Sequence, residues 1–236
     1  MAKERFDKII ANQFNISRKD ARIGIRRGKG VVDGAVVRDP SQAVDTNSVI
    51  TFNGQAMDYK KYIYILMNKP KGVLSASNDK KRKTVVDLVP EELLRASLFP
   101  VGRLDKDTTG LLIITDDGDF AHKVIAPNKN VYKTYVATLD GPVTADMADA
   151  FARGIVLADG TQCKKAVLTP LEGNMAQIKI SEGKYHQIKR MFGTVGLGVN
   201  ELERIALGGL ALPPNLEKGQ CRLLSDEEIG TIFLNC

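Results

Sequence analysis

The sequence predicts an α+β fold in two parts: a small basic module over residues 1–58 and a larger domain with a mixed or antiparallel sheet over residues 59–236. Three observations carry this. Strand-like apolar runs alternate with helical stripes but without a regular βαβ period. No Gly-rich phosphate fingerprint opens any of the helices. Basic residues crowd one short stretch near the N-terminus, and a polar segment separates it from the rest. With 236 residues the chain is long enough to bury a core and carry a small attached domain.

Phe6, Ile9, Ile10 and Phe14 follow a helical stripe. Ser17 then reads as the N-cap of a second helix that ends near Gly28 or Gly30. "VVDGAVV" places two strand segments around Asp33-Gly34, a pair that favours a type I′ hairpin turn. "SVITF" adds a strand, and "NGQAMDYKK", residues 53–61, reads as the linker. Beyond it, "YIYILMNKPKG", "LFPVGRL", "GLLIIT", "YKTYVATL" and "AQIKIS" read as strands. "FAHKVIA", "TADMADAFARG" and "YHQIKRMFGTV" read as helices.

The formal net charge of +6 makes a polyanionic partner plausible without requiring one. Within the small module the charge is concentrated over residues 18–29, where Arg18, Lys19, Arg22, Arg26, Arg27 and Lys29 stand against Asp20 alone. Arg18, Arg22 and Arg26 are four apart and share a helix face, as phosphate contacts require. Cys163, Cys221 and Cys236 are widely spaced and form no Cys-x-x-Cys, so free thiols are expected. No apolar run has the length that a membrane helix needs, so a cytoplasmic protein is expected. Two histidines, His122 and His186, are too few for a multi-histidine metal centre.

Nucleotide-binding and Gly-x-Ser-x-Gly patterns are absent, which leaves acids and bases to carry any chemistry. Asp105, Asp107, Asp116, Asp117 and Asp119 cluster in sequence. "TDDGDF" explains the later three locally, with Asp117-Gly118 as turn residues and Asp119 near a helix start. Asp105 and Asp107 would face the same way in an extended segment. Asp105 sits at the edge of an apolar run, where an ionised carboxylate is costly unless paired. A cap, a metal ligand and a nucleophile all remain open for it. Ile188, Met191, Phe192 and Val195 make an apolar stripe with Lys189 beside it. Lys189 either snorkels or pairs with Asp105. "DKKRK", residues 79–83, reads as a solvated loop.

"GRLDKDTTGLL" resembles the signature of the ribosomal RNA pseudouridine synthases, and "EGKYHQIKRMF" is similar to their later basic motif. "NKPKGV" and "YKTYVATL" match the segments expected before and after the signature, so the resemblance spans nearly the whole chain. The small module resembles the RNA-binding domain named for ribosomal protein S-four, which the RsuA-type branch carries at its N-terminus. The resemblance implies an isomerase that converts a ribosomal uridine to pseudouridine without cofactor or metal. Thr-Thr-Gly in the signature, "KKAVL" and "GQCRLLSDEEI" point to uridine 516 of small-subunit (16S) rRNA. A large-subunit (23S) enzyme of the family and a non-catalytic rRNA-binding assembly factor are the alternatives. Asp105 would be the catalytic aspartate, Tyr135 the tyrosine against a flipped base, and Lys189 the basic partner of Asp105. Arg103 would lie beside the nucleophile, and Leu202 would form an apolar wall. The implied partner is ribosomal RNA, within an assembling small subunit, acted on by a monomer away from any membrane.

Overall fold

Two bodies, each with its own packing, make up the chain in the computed structural model, which describes residues 3–234. The first comprises the chain up to Ile63 together with Pro90–Leu98, and the second comprises Tyr64–Val89 and everything from Phe99 onward. A single cut near residue 58 therefore misses a segment that returns to the first body. Among the described residues no helix is long and apolar enough to cross a membrane.

The first unit runs β1 (Lys3–Arg5), α1 (Phe6–Gln13), α2 (Arg18–Arg26), β2 (Gly30–Val32), β3 (Ala35–Val37), β4 (Ala43–Asp45), β5 (Ile50–Phe52) and β6 (Gln55–Met57). β1 pairs with β4, and a separate antiparallel sheet has the order β3-β2-β5-β6. Ser17 caps α2 by accepting from the Asp20 amide at 3.1 Å. Asp33 and Gly34 both take positive φ, 48° and 83°, which lets the β2–β3 turn follow the strand twist. Asn53 and Gly54 repeat the device, at 51° and 80°. The expected linker at residues 53–61 is therefore half hairpin, because Asn-Gly turns the chain back on itself into β6. Phe6, Ile9, Ile10, Ala21, Ile25 and Ile50 are fully buried between helices and sheet.

Asp7, on the first turn of α1, is completely buried. Arg18 and Arg22 each reach it at 2.8 Å, and Arg5 donates at 3.1 and 3.2 Å. Burial pushes its carboxyl upward, but the bonds from Arg5, Arg22 and Arg18 outweigh this and hold it well below the usual carboxylate range.

The second unit continues with β7 (Tyr64–Lys69), β8 (Phe99–Pro100), β9 (Thr109–Thr115), α3 (Gly118–Ile125), β10 (Lys133–Leu139), α4 (Ala145–Arg153), β11 (Val167–Pro170), β12 (Met175–Ile180), α5 (Gln187–Thr194), β13 (Val199–Leu207), β14 (Leu210–Ala211), β15 (Cys221–Leu223) and α6 (Asp226–Thr231). Its mixed sheet has the order β11-β12-β10-β13-β9-β7-β15, with β14 on β13 and β8 on β9. All pairings are antiparallel except β13 with β9, which is parallel. β9 is buried at every position, which is why its sequence is a continuous apolar run rather than an alternating one. Leu111 and Ile113 pack with Leu66, Phe120, Val124 and Leu207 in one cluster.

One local expectation changes. "LFPVGRL" pairs as a strand only at Phe99–Pro100, since Pro100 and Gly102 (φ 76°) divert the chain. Asp119 falls in the first turn of α3 as expected, and Asp117 caps it: its carboxylate accepts from the Phe120 amide at 3.0 Å and from the Tyr64 hydroxyl at 2.7 Å. Cys163 is a buried free thiol and Cys221 a half-buried one, while Cys236 lies outside the described residues.

Because the carboxyl of Asp7 is depressed in the folded unit, its stabilising contribution is present at neutral pH. It is lost as pH falls below the ordinary value of 3.8. Hydrogen exchange of α1 and α2 amides should show protection falling progressively as pH drops below about 4. Asp7→Asn should lower protection by about 3 kcal/mol at pH 7 and flatten that acid limb; equal acid sensitivity in the variant would assign it to other groups.

Candidate active site

Residues from four separate stretches of the second unit line one pocket: Arg103 and Asp105 before β9, Tyr135 on β10, Lys189 on α5 and Leu202 on β13. The sheet register explains the convergence. Leu202 and Arg204 are two apart and share a face of β13, and Tyr135 stands opposite Arg204 on β10. The parallel register of β13 with β9 sets Arg204 beside Gly110, at the root of the loop that bears Asp105. Gly110 has φ 99°, and a Cβ there would lie 2.2 Å from the Arg204 carbonyl oxygen. Only glycine permits that approach. Arg204 itself is buried and donates through Nε to the Leu111 carbonyl at 2.7 Å.

Asp105 and Asp107 do not share an extended segment. The chain turns here, with the Thr108 amide bonded to the Asp105 carbonyl at 3.1 Å, so the two carboxylates part company. Lys189 consequently does not pair with Asp105: its Nζ lies 2.7 Å from Asp107 Oδ2. That bond is the chief cause holding the Asp107 carboxyl below its usual range. The Asp105 carboxylate is 29% exposed and faces the His186 imidazole, with Nε2 at 3.5 Å from Oδ1. Leu104 is anchored behind it, its amide and carbonyl both bonded to the Ser75 hydroxyl.

The cation beneath the loop is Lys69, a residue without an assigned role in the sequence reading. It is fully buried, and its Nζ donates to the carbonyls of Pro70, Asp105, Lys106 and Thr108 at 3.0–3.2 Å. Burial lowers its pKa to about 8, against the opposing fields of Asp107 and Asp105. Its signal in sequence was a lysine ending the largely apolar strand "YILMNK".

His186 is the second residue without an assigned role. It has φ 47° and ψ 34°, a left-handed conformation costly for a residue with a side chain, and it starts α5 without making a side-chain cap. The loop before it is pinned by buried Glu182, which accepts from the Lys164 amide, Lys184 Nζ and Gln187 Nε2 at 2.8–2.9 Å. Gln187 in turn accepts from the Lys184 amide at 2.9 Å. Ile188, Met191 and Phe192 then bury the helix, and Val195 is half-buried.

The remaining acids stay apart. Among the described residues no group of three or more His, Cys, Asp or Glu side chains gathers as a metal site would require. The basic residues Arg18, Lys19, Arg22, Arg26, Arg27 and Lys29 belong to the first unit and are all exposed. Arg18 and Arg22 are nonetheless engaged with Asp7, so part of their charge is already neutralised.

Lys69→Met should remove the Nζ donor from four carbonyls, of which those of Asp105 and Lys106 keep the amides of Thr108 and Gly72, and cost about 2–4 kcal/mol. Hydrogen exchange should report lost protection of the Thr108 amide first, ahead of β9. Unchanged protection there would show that the turn holds itself.

The model of the RNA pseudouridylate synthase family matches residues 63–194. The Bacillus subtilis RNA pseudouridine synthase YtzG, described as uncharacterized, is 39% identical over 230 residues, covering 95% of this chain and 96% of that protein. Ribosomal small subunit pseudouridine synthase A of Escherichia coli is 37% identical over 230 residues, covering 97% and 99%. A crystal structure of a pseudouridylate synthase superposes with a TM-score of 0.69 at 33% identity, covering 97% of this chain and 99% of the other. A mixed-sheet domain whose loop-borne aspartate faces a pocket, and relatives matched from end to end, have one explanation: the chain belongs to the RNA pseudouridine synthase family, in its RsuA-type branch.

Proposed function

We propose that this enzyme isomerises one uridine of small-subunit ribosomal RNA, uridine 516, with Asp105 as the nucleophile on a base taken out of its stack. The observation that carries this is the convergence of Asp105, Tyr135, Lys189, Arg103 and Leu202 on one pocket. In the reaction the bond from uracil N1 to the ribose breaks and a bond from C5 forms. N1 gains a proton as C5 loses one, so atoms and electrons balance within the nucleoside. Asp105 attacks the nucleoside or assists cleavage of the glycosidic bond. Buried Tyr135 packs against the base, and Leu202 closes the apolar side. Arg103, exposed beside the loop, helps open the RNA.

Lys189 acts in this scheme through Asp107. The 2.7 Å bond between them holds the ammonium at the pocket wall and leaves Asp105 without a direct lysine partner. Unstacking a base costs a few kcal/mol, which phosphate contacts elsewhere must offset. Those contacts are assigned to an S-four-like module over residues 1–58, with the catalytic domain over residues 59–236. Arg26, Arg27 and Lys29 join Lys19 as its principal phosphate ligands, since Arg18 and Arg22 also serve Asp7. The enzyme works as a cytoplasmic monomer on rRNA of the assembling small subunit.

Pseudouridine mapping of rRNA from a strain without this protein should show one lost site, in small-subunit rRNA at uridine 516. A lost large-subunit site would move the assignment to the other branch, and a complete map would favour a non-catalytic factor. Asp105→Asn should abolish turnover while RNA affinity stays within about tenfold; substantial residual turnover removes Asp105 from the nucleophile role. Replacing Arg26, Arg27 and Lys29 with Gln should lower the slope of log affinity against log salt by roughly 2. An unchanged slope shows that this module does not grip phosphate.

A further inference from the structure

Beside the pocket lies a larger cleft of about 790 Å3 that shares Arg103, Asp105 and His186 with it. That volume falls within the ~300–1,000 Å3 of ordinary ligand sites. Its outer wall includes Tyr185, which is 77% exposed, the highest value among the exposed large apolar side chains. The Tyr185 ring stacks on His186 with centroids 3.9 Å apart and planes 17° from parallel. The two rings make a ledge whose inner edge is the imidazole facing Asp105 and whose outer ring is open to solvent.

Four cations, Arg82, Arg103, Lys106 and Lys184, line the cleft beside a second acid, Asp79. Arg82 belongs to "DKKRK", the run expected to be a solvated loop. The run is ordered: Asp79 accepts from the amides of Lys81 and Arg82 at 3.0 Å and holds the Arg82 guanidinium at 3.2 Å. The Leu74 amide bonds the Lys83 carbonyl at 3.0 Å and closes the loop on the cleft side. A flat aromatic ledge beside clustered guanidinium and ammonium groups fits one ligand chemistry well: a nucleobase on the rings with its phosphate among the cations.

We propose that this cleft is a subsite for the RNA nucleotide adjoining the target uridine, its base stacked on Tyr185 and its phosphate met by Arg82 and Lys106. The subsite deepens the proposed function and rests on it. When the target base leaves its stack, its neighbour loses a stacking partner, and the Tyr185–His186 ledge replaces that partner one step from Asp105. The left-handed backbone at His186 follows from this role, since it turns both rings toward the cleft before α5 begins.

The test uses a small-subunit rRNA transcript spanning uridine 516 and measures both turnover and the dissociation constant. Tyr185→Ala should weaken binding about tenfold, and Tyr185→Phe should bind within about twofold of wild type, because stacking needs the ring rather than the hydroxyl. Removing the base on one side of the target should weaken wild-type binding by a similar factor and add nothing to Tyr185→Ala. Wild-type binding by Tyr185→Ala, or base-removal losses that add in full on both sides, would overturn the subsite while leaving the enzyme assignment in place. Absence of wild-type turnover on this RNA would overturn the proposed substrate, and the subsite with it.

Discussion

The site depends on one buried ammonium. Lys69 ends a strand of apolar residues and spends its three protons on four carbonyls, three of them in the turn that carries Asp105 and Asp107. A short polar turn at the head of a buried strand would otherwise point unsatisfied carbonyls into the interior. The lysine answers that need and lies within the field of the Asp107 and Asp105 carboxylates. The cost is visible in its own pKa, which burial brings down to about 8. One residue therefore couples the packing of β7 to the placement of Asp105.

The sheet does the rest of the positioning. Its single parallel pairing, β13 on β9, requires the backbones to approach at Gly110, and the register that results sets Leu202 and Tyr135 on the face above the turn. Glu182 plays the corresponding part on the opposite wall, tying Lys164, Lys184 and Gln187 so that His186 and Lys189 enter α5 in fixed positions. Both walls are hydrogen-bonded from behind, the usual requirement for holding a reacting group to small tolerances.

The first unit shows how one basic helix face can also serve stability. Arg18 and Arg22 rise from α2 at the spacing expected of a phosphate-contacting face, yet each extends a donor to Asp7. A buried carboxylate ringed by three guanidiniums is electrostatically balanced only in part, so the surface keeps a net positive field. The exposed residues that follow, Arg26, Arg27 and Lys29, extend that field past the helix end. There Arg38 donates to the Arg26 carbonyl at 3.2 Å and closes the last turn.

The sequence by itself determined what depends on near neighbours. Ser17 as a cap, the Asp33-Gly34 turn, the buried run at β9 and the apolar stripe of α5 are set by contacts within a few residues, and local pattern records them. The motifs also named Arg103, Asp105, Tyr135, Lys189 and Leu202 of the pocket, but not His186. Pairing was another matter. Lys189 meets Asp107 instead of Asp105, the carboxylate of Asp105 faces His186, and its backbone carbonyl accepts from Lys69. Each outcome turns on a direction of the backbone over two or three residues that no periodicity encodes. Only the tertiary structure decided them, since a turn at residues 105–108 becomes favourable once a lysine from another strand is buried beneath it.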